Sequence, residues 1–207
     1  MYNLDSYISE AKEIPIRLPL KNAEVLYYPN FFSTIKADTY FKEILKSTFW
    51  QQDGITVFGK TYPQPRLTAL YGVDGKTYSY SGITMTPKPF TYDLAQIKKR
   101  INNVTEEEFT SVLLNLYRDG NDSNGWHSDN EKELGKNPVI ASISFGAKRF
   151  FHFKNKSDKS DTYKLSLEHG SLLLMKGATQ HHWLHQLPKT KLVQSARINL
   201  TFRKILP

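Results

Sequence analysis

The spacing of the apolar residues changes once along this chain, and that change constrains the fold more than any other feature. Over residues 35–48 the apolar residues recur every three or four positions, which predicts a helix, and Leu94, Ile97 and Ile101 mark a second one. From Val112 to Phe202 the repeat is two residues, in short runs that glycines separate. Many short strands at close spacing predict a jelly roll or sandwich, mainly β with flanking helices (an α+β fold), rather than a parallel α/β sheet.

The lack of cysteine narrows the chemistry that such a fold can carry. The 207 residues suit one globular domain, and none of them is cysteine. This excludes a disulfide scaffold, thiolate zinc and iron–sulfur sites and a cysteine nucleophile, so a catalytic metal would need His, Asp or Glu ligands. No apolar run approaches the roughly 20 residues of a membrane span, and residues 1–20 lack the pattern of a signal peptide. We therefore expect no association with membranes and an intracellular location.

Positive charge is concentrated near the C-terminus. The formal net charge is +8, and residues 151–207 hold ten basic and three acidic groups, which accounts for +7 of it. A one-sided distribution favours a surface that faces an anion, and nucleic acid is the commonest such partner. A soluble enzyme with a lysine-rich surface is the alternative.

The segment Trp126-His127-Ser128-Asp129 contains two potential metal ligands. Residues two apart on an extended segment point to the same face, so His127 and Asp129 can supply two of the three ligands of a facial triad for non-haem Fe(II). A His-x-Asp sequence alone is weak evidence. The best source of a third ligand is the cluster of His181, His182 and His185, of which only one is needed.

Two arginines on the last predicted strand form a third candidate site. Arg197 and Arg203 are six residues apart and share a strand face, with Cα atoms roughly 20 Å apart at about 3.3 Å per residue. Long side chains that lean inward could hold a small diacid between two guanidinium groups. The alternative is a pair of surface arginines on an edge strand.

The order His-x-Asp, His, Arg is that of Fe(II)/2-oxoglutarate dioxygenases, whose core is a double-stranded β-helix jelly roll. More closely, the chain resembles the AlkB family of nucleic-acid dealkylases, nearest to the human homologues that act on double-stranded DNA. The resemblance spans about 23–205 and rests on five stretches: YGVDGKTYSYSGITMTPKPF (71–90), NLYRDGNDSNGWHSDNEKEL (115–134), ASISFGAKRFFHF (141–153), HGSLLLMKGATQHHWLHQLP (169–188) and RINLTFRKI (197–205).

This resemblance implies one dioxygenase domain over 1–207, with an N-terminal extension (about 1–22), a nucleotide-recognition lid (about 54–90) and a jelly-roll core (about 110–205). It implies Fe(II), with 2-oxoglutarate and O2 as co-substrates. The implied metal ligands are His127, Asp129 and His185. The implied 2-oxoglutarate contacts are Asn115, Tyr117, Arg197 and Arg203, with Arg197 on the distal carboxylate and Arg203 near the chelating end.

The resemblance also implies a set of substrate contacts. Tyr80 and the His127 ring would sandwich the target base, with the lid residues Tyr78 and Ser81 nearby. Arg66, Glu131 and Phe58 complete the set, with Phe58 as an aromatic finger that enters the duplex after base flipping. Each of these three has a plainer alternative: a surface arginine, a solvated loop acid and a core strand residue.

The implied activity is oxidative demethylation of 1-methyladenine and 3-methylcytosine in DNA, with release of formaldehyde. Two departures leave the strand preference open, because the basic hairpin at 154–164 looks short and only Lys189 and Lys191 remain of a later basic run. We expect a monomer that acts on single- or double-stranded alkylated DNA, cytoplasmic if bacterial and nuclear if eukaryotic. Methylated RNA is the alternative substrate.

Overall fold

The computed structural model describes residues 14–57, 60–73, 78–80 and 83–206, with the backbone alone at 55–57, 78–80 and 83–85. Three α-helices occur in this part of the chain: α1 (Thr34–Ser47), α2 (Tyr92–Thr105) and the four-residue α3 (Thr179–His182). None of these helices has the length and hydropathy that a membrane span requires.

The first two helices form where apolar periodicity and capping residues coincide. The Ser33 side chain accepts a hydrogen bond from the backbone N–H of Lys36 and begins α1, and Thr91 does the same for Leu94 at the start of α2. The buried side chains are Ala37, Tyr40 and Ile44 of α1 and Leu94, Ile97 and Ile101 of α2. Their spacing of three and four residues places each set on one helix face.

A seven-stranded antiparallel sheet forms the centre of the molecule. Its order is β1 (Ile16–Arg17), β2 (Glu24–Tyr28), β13 (Ser171–Lys176), β10 (Ile140–Gly146), β15 (Arg197–Arg203), β8 (Ser111–Tyr117) and β5 (Leu67–Gly72). Strand β15 pairs with β10 on one side and with β8 on the other. The last strand of the chain is therefore interior to the sheet.

A smaller antiparallel sheet packs against it. Its order is β12 (Thr162–Leu167), β11 (Arg149–Asn155), β14 (Trp183–Leu187) and β9 (Asn124–His127). Two hairpins stand apart from both sheets: β3 (Gly54–Val57) with β4 (Lys60–Pro63), and β6 (Tyr78–Tyr80) with β7 (Ile83–Met85).

Alternate residues of the large sheet contribute to two different apolar cores. Leu172 and Leu174 of β13 pack in the core that contains α1 and α2, whereas Leu173 and Met175 pack with Phe153 and other residues of the small sheet. The period of two thus places helices on one face of the large sheet and the small sheet on the other. The predicted fold, mainly β with flanking helices and a jelly-roll core, is confirmed, while the domain boundaries drawn from the sequence remain predictions.

Candidate metal and co-substrate site

Three potential metal ligands converge between the two sheets. His127 ends β9 and pairs in register with His185 of β14, and Asp129 follows two residues after His127. The His127 Nε2 and His185 Nε2 atoms are 3.1 Å apart, and His185 Nε2 lies 3.6 Å from Asp129 Oδ2. One ligand atom from each residue lies within 4.8 Å of the others, the only such group of three among the described residues. His181 and His182 lie on α3, outside this group.

The protonation states of these groups suit a metal ion. Burial lowers the pKa of His185 to about 3 and also lowers that of His127, so both imidazoles are neutral near pH 7. Burial alone would raise the pKa of Asp129, but the charge and the hydrogen bond of Arg203 lower it to about 2. Two neutral imidazoles and one carboxylate are the donor set that non-haem Fe(II) takes, so the residues present fit this ion.

Arg203 links the last strand to this ligand group. Its Nη2 atom donates to Asp129 Oδ1 over 2.6 Å, and both side chains are buried. A buried ion pair needs such close geometry to offset desolvation. Arg203 on the large sheet therefore holds Oδ1 of the Asp129 carboxylate, while Oδ2 lies 3.6 Å from His185 Nε2.

Arg197 is a buried cation without a paired carboxylate among the described residues. Its Nη2 atom donates to Ser144 Oγ over 2.9 Å, and its guanidinium carbon lies 5.4 Å from the Tyr117 ring centre. Its buried Nε atom has no hydrogen-bond partner in that part of the chain. Burial lowers the pKa of Arg197 to about 10, so it stays charged near pH 7. The alternative of surface arginines on an edge strand is therefore wrong. A buried guanidinium with a donor that has no described partner can accommodate a carboxylate ligand.

A pocket of about 470 Å³, part of it open to solvent, joins the metal ligands to these arginines. Asn115 and Tyr117 of β8 both line it, as their shared strand parity requires. Tyr117 is the partner of Arg197 in the β8–β15 register, and Asn115 is the partner of Asn199, which also lines the pocket. All four residues predicted to contact 2-oxoglutarate thus lie around one space.

Two of the predicted substrate contacts lie near this pocket. Arg66 is buried, its Nε atom donates to Asn115 Oδ1 over 2.9 Å and its Nη1 atom to the Ser123 carbonyl over 3.2 Å, so the alternative of a surface arginine is wrong. Glu131 is half-buried, and its Oε2 atom is buried with no partner among the described residues. Burial raises the pKa of Glu131, so it is not a fully solvated loop acid.

The remaining predicted contacts belong to the segment read as a lid. Tyr78 and Tyr80 lie on β6, where they pair with Met85 and Ile83, and only their backbone is described. Phe58 and Ser81 fall outside the described residues. The roles of these four side chains remain predictions.

Sequence reasoning missed several residues that hold the site together. Gln180 Oε1 accepts a hydrogen bond from the backbone N–H of Asp129 over 2.9 Å, and Asn124 Nδ2 lies 3.3 Å from His127 Nε2. Arg149, fully enclosed, donates to the carbonyls of Asp119, Asp122 and Pro188. No spacing rule signals contacts with backbone atoms, although Gln180 stands directly before the histidine cluster.

Comparison with known proteins agrees with this arrangement. A family model described as the 2OG-Fe(II) oxygenase superfamily matches residues 24–203. The DNA oxidative demethylase ALKBH2 of Bos taurus is 42% identical over 190 residues, covering 87% of this chain and 68% of that protein. The alpha-ketoglutarate-dependent dioxygenase alkB homolog 3 of Homo sapiens is 42% identical over 198 residues, covering 91% and 68%.

A solved structure shares the fold at low sequence identity. The structure of OsALKBH1 superposes with a TM-score of 0.66 at 17% identity, over 91% of this chain and all of that one. At this identity the likeness bears on the architecture alone.

Proposed function

Because this chain belongs to the 2OG-Fe(II) oxygenase superfamily and, within it, to the AlkB-homologue family, we propose that it is a DNA repair dioxygenase that oxidatively demethylates N-alkylated bases. It is an Fe(II)- and 2-oxoglutarate-dependent enzyme. The observation that carries the proposal is the group of His127, Asp129 and His185 beside the buried Arg197, which has no carboxylate partner among the described residues. A metal-ligand set and an anion site in one pocket are what a metal and a diacid co-substrate together require.

His127, Asp129 and His185 would hold Fe(II), which with 2-oxoglutarate and O2 supplies the oxidising power to hydroxylate a C–H bond. Arg203 keeps Asp129 ionised and fixed in place through its 2.6 Å hydrogen bond. Since both histidines are neutral near pH 7, no proton has to leave them before the metal binds.

The arginines of β15 orient the diacid. Arg197 would pair with its distal carboxylate, which would accept from the Nε atom that has no partner in the part of the chain that the structure describes. Asn115 and Tyr117 would contact it from β8, and Arg203 lies near the end next to the metal ligands. Arg66 holds the Asn115 amide and so fixes one wall of this space.

The charge of the substrate base matches the acid near the metal group. 1-Methyladenine and 3-methylcytosine carry positive charge, and a half-buried Glu131 gains a counter-ion when such a base arrives. Tyr80 and the His127 ring would sandwich that base, with Tyr78 and Ser81 beside it, since aromatic faces attract cations. Flipping the base out of the stack would bring its methyl group close to the metal ligands, and the bound base would itself displace water from the pocket.

Formaldehyde release needs no further protein group. Hydroxylation of the N-methyl carbon gives an N-hydroxymethyl base, whose C–N bond breaks as the hydroxyl proton is lost. The carbon leaves as formaldehyde, and the electron pair returns to the ring nitrogen of the unmethylated base.

Mass spectrometry of methylated oligonucleotides tests the proposal. With Fe(II) and 2-oxoglutarate, we expect 1-methyladenine and 3-methylcytosine in DNA to lose the methyl group, and His127→Ala to abolish the conversion. Matched single-stranded, double-stranded and RNA oligonucleotides read out strand and sugar preference in the same assay. Succinate formation without demethylation of any oligonucleotide would overturn the DNA substrate and keep the oxygenase.

Phe58 can be tested as the proposed finger in the same assay. Phe58→Ala should lower activity more on duplex than on single-stranded DNA, because an apolar wedge matters only where a gap is left in the stack. An equal fall on both would count against this role.

The expected oligomeric state and cellular location are those of an enzyme that acts on genomic DNA. We propose a monomer located where genomic DNA is found, in the cytoplasm of a bacterium or the nucleus of a eukaryote. Sedimentation with and without DNA checks the first of these, and a second copy bound in the absence of DNA would contradict it.

A further inference from the structure

The residue Asp129 lies outside any strand and depends on other segments for its position. It follows the end of β9 by two residues, and its backbone N–H donates to Gln180 Oε1 over 2.9 Å. The Gln180 side chain is 1% exposed, so this amide is held within the protein. Its Nε2 atom lies 3.5 Å from Met175 Sδ of the large sheet.

Lys156, from the segment after β11, contacts both Ser128 and Gln180. Lys156 Nζ donates to Ser128 Oγ over 3.0 Å and to the Gln180 carbonyl over 2.8 Å. The Lys156 backbone N–H donates to the His182 carbonyl over 2.8 Å. One half-buried ammonium group therefore ties the residue before Asp129 to α3 and to the end of β11.

Helix α3 is itself anchored to the large sheet. Thr179 Oγ1 donates to the carbonyl of Lys176 at the end of β13 and accepts from the backbone N–H of Glu24 in β2 over 3.0 Å. Gln180 is the next residue, so the hydrogen bonds of Thr179 also restrict where the Gln180 side chain can lie. Through Gln180 and the neighbouring Thr179, the backbone of Asp129 is therefore connected by hydrogen bonds to the seven-stranded sheet.

We propose that Gln180 and Lys156 are positioning residues that set the metal affinity of the site without contacting the metal. Gln180 fixes the backbone of Asp129, and Lys156 fixes Ser128 and the carbonyl of Gln180. Contacts of this kind hold a ligand in its binding geometry, and their loss weakens a metal site whose ligands are intact. The inference rests on the proposed metal role of His127, Asp129 and His185.

The test measures metal binding directly, without turnover. Mn(II) replaces Fe(II), and the free ion is followed by electron paramagnetic resonance during titration of the purified protein. Gln180→Met keeps the side-chain volume and removes the acceptor, and we expect about 10- to 100-fold weaker Mn(II) binding. Gln180→Glu keeps an acceptor at the same place and should bind Mn(II) more tightly than Gln180→Met.

A neighbouring residue provides the control for a merely structural effect. His181→Leu changes an exposed side chain on the same short helix and should leave Mn(II) affinity as in the wild type. Far-ultraviolet circular dichroism and thermal unfolding of the metal-free proteins show that each variant is folded. Equal affinity in Gln180→Met and wild type, or an equal loss in His181→Leu, would overturn the role of Gln180.

The lysine gives an independent second arm. Lys156→Met should weaken Mn(II) binding less than Gln180→Met, because Lys156 acts one step further from Asp129, and Lys156→Arg should restore it in part. Lys159→Met, at an exposed position of the same hairpin, is the matched charge control. Wild-type affinity in Lys156→Met would overturn its role, whereas failure of the wild type itself to bind Mn(II) would overturn the proposed metal site.

Discussion

The large and small sheets face the same pocket but are built differently around it. Arg197 and Arg203 lie on β15, which is hydrogen-bonded on both sides, in a sheet whose far face is covered by α1 and α2. His127 lies on β9, at the edge of the small sheet, where Trp126 is 38% exposed. On β11, Phe150 is 46% exposed.

This difference gives each sheet a separate role in the site. The large sheet holds buried cations in a fixed frame, whereas the small sheet presents metal ligands on strands open to solvent on one side. The ligand side therefore needs supports that reach back to the large sheet, and Arg203 and Gln180 provide them. Perturbing the large sheet should affect co-substrate binding and stability, and perturbing the ligands should affect the metal.

The largest effect is expected at Asp129. Asp129→Asn keeps the shape but removes the anionic ligand that both Arg203 and the metal use, so 2-oxoglutarate turnover should fall below detection. This exceeds the about 100-fold loss typical of residues outside the ligand set. Succinate formation measures it, with the exposed Asp158→Asn as control. Turnover within tenfold of wild type would remove Asp129 from the metal ligands.

A large and selective effect is expected at Arg197. Arg197→Met removes a buried charge partner of the diacid, a loss of about 2–5 kcal/mol that corresponds to a roughly 30- to 4,000-fold rise in KM for 2-oxoglutarate. The protein without co-substrate should be no less stable, because the variant also removes a buried cation that lacks a described carboxylate partner. Steady-state kinetics measures the change in KM, and thermal unfolding measures the stability. A lower Tm with an unchanged KM would contradict both expectations.

A difference in packing should separate the two sheets. Ile143 of β10 is fully buried beneath the helices, so Ile143→Ala should cost about 2–5 kcal/mol of unfolding free energy. Leu165 lies on β12, the edge strand of the small sheet, where the structure can relax around a cavity. Leu165→Ala should cost less, and urea denaturation compares the two. A larger cost at Leu165 would reverse the proposed division between a fixed frame and an open face.

The smallest effect is expected where the chain passes from the large sheet to the small one. Asp122 accepts hydrogen bonds from the backbone N–H, Nε and Nη2 of Arg118, and although burial raises its pKa, these contacts hold the pKa below the usual value. A carboxylate with a lowered native pKa stabilises the fold above its unfolded pKa of about 3.9 and loses this contribution as the pH falls through the native value.

Asp122→Asn should therefore cost about 1–2 kcal/mol at pH 7, a range that allows for the half-exposed Arg118 partner. The difference from wild type should shrink as the pH falls below about 4. Denaturation at several pH values measures it. A cost that grows toward low pH would show that ionised Asp122 does not stabilise the fold.

The sequence predicted the parts of the site that depend on periodicity. The shared direction of His127 and Asp129 follows from their spacing of two on an extended segment, although Asp129 lies just beyond β9. Asn115 and Tyr117 were assigned through the family resemblance. The choice of His185 among three histidines needed the family resemblance, and in the structure the register between β14 and β9 places it opposite His127. The fold class also followed from the alternating spacing after Val112, although three strands of the large sheet, β1, β2 and β5, lie before that change.

The parts that could not be predicted depend on long-range contacts. In the structure β15 is interior to the large sheet and Arg197 is buried, whereas the sequence left Arg197 open to a surface interpretation. Arg66, Arg149 and Gln180 act through an amide or through backbone atoms of distant segments. Such partners carry no spacing signal, because any residue supplies a carbonyl or an N–H.

The two arginines proposed to contact the co-substrate lie on one interior strand, so the backbone fixes the distance between them. The distance between the Cα atoms of Arg197 and Arg203 is set by six strand residues that are paired on both sides, so it cannot stretch without breaking the sheet. The two arginine side chains can adjust to a molecule of slightly different length, but the distance between their Cα atoms cannot change. If Arg197 and Arg203 both contact the diacid as proposed, the fixed distance between their Cα atoms limits the length of the diacid that both side chains can reach.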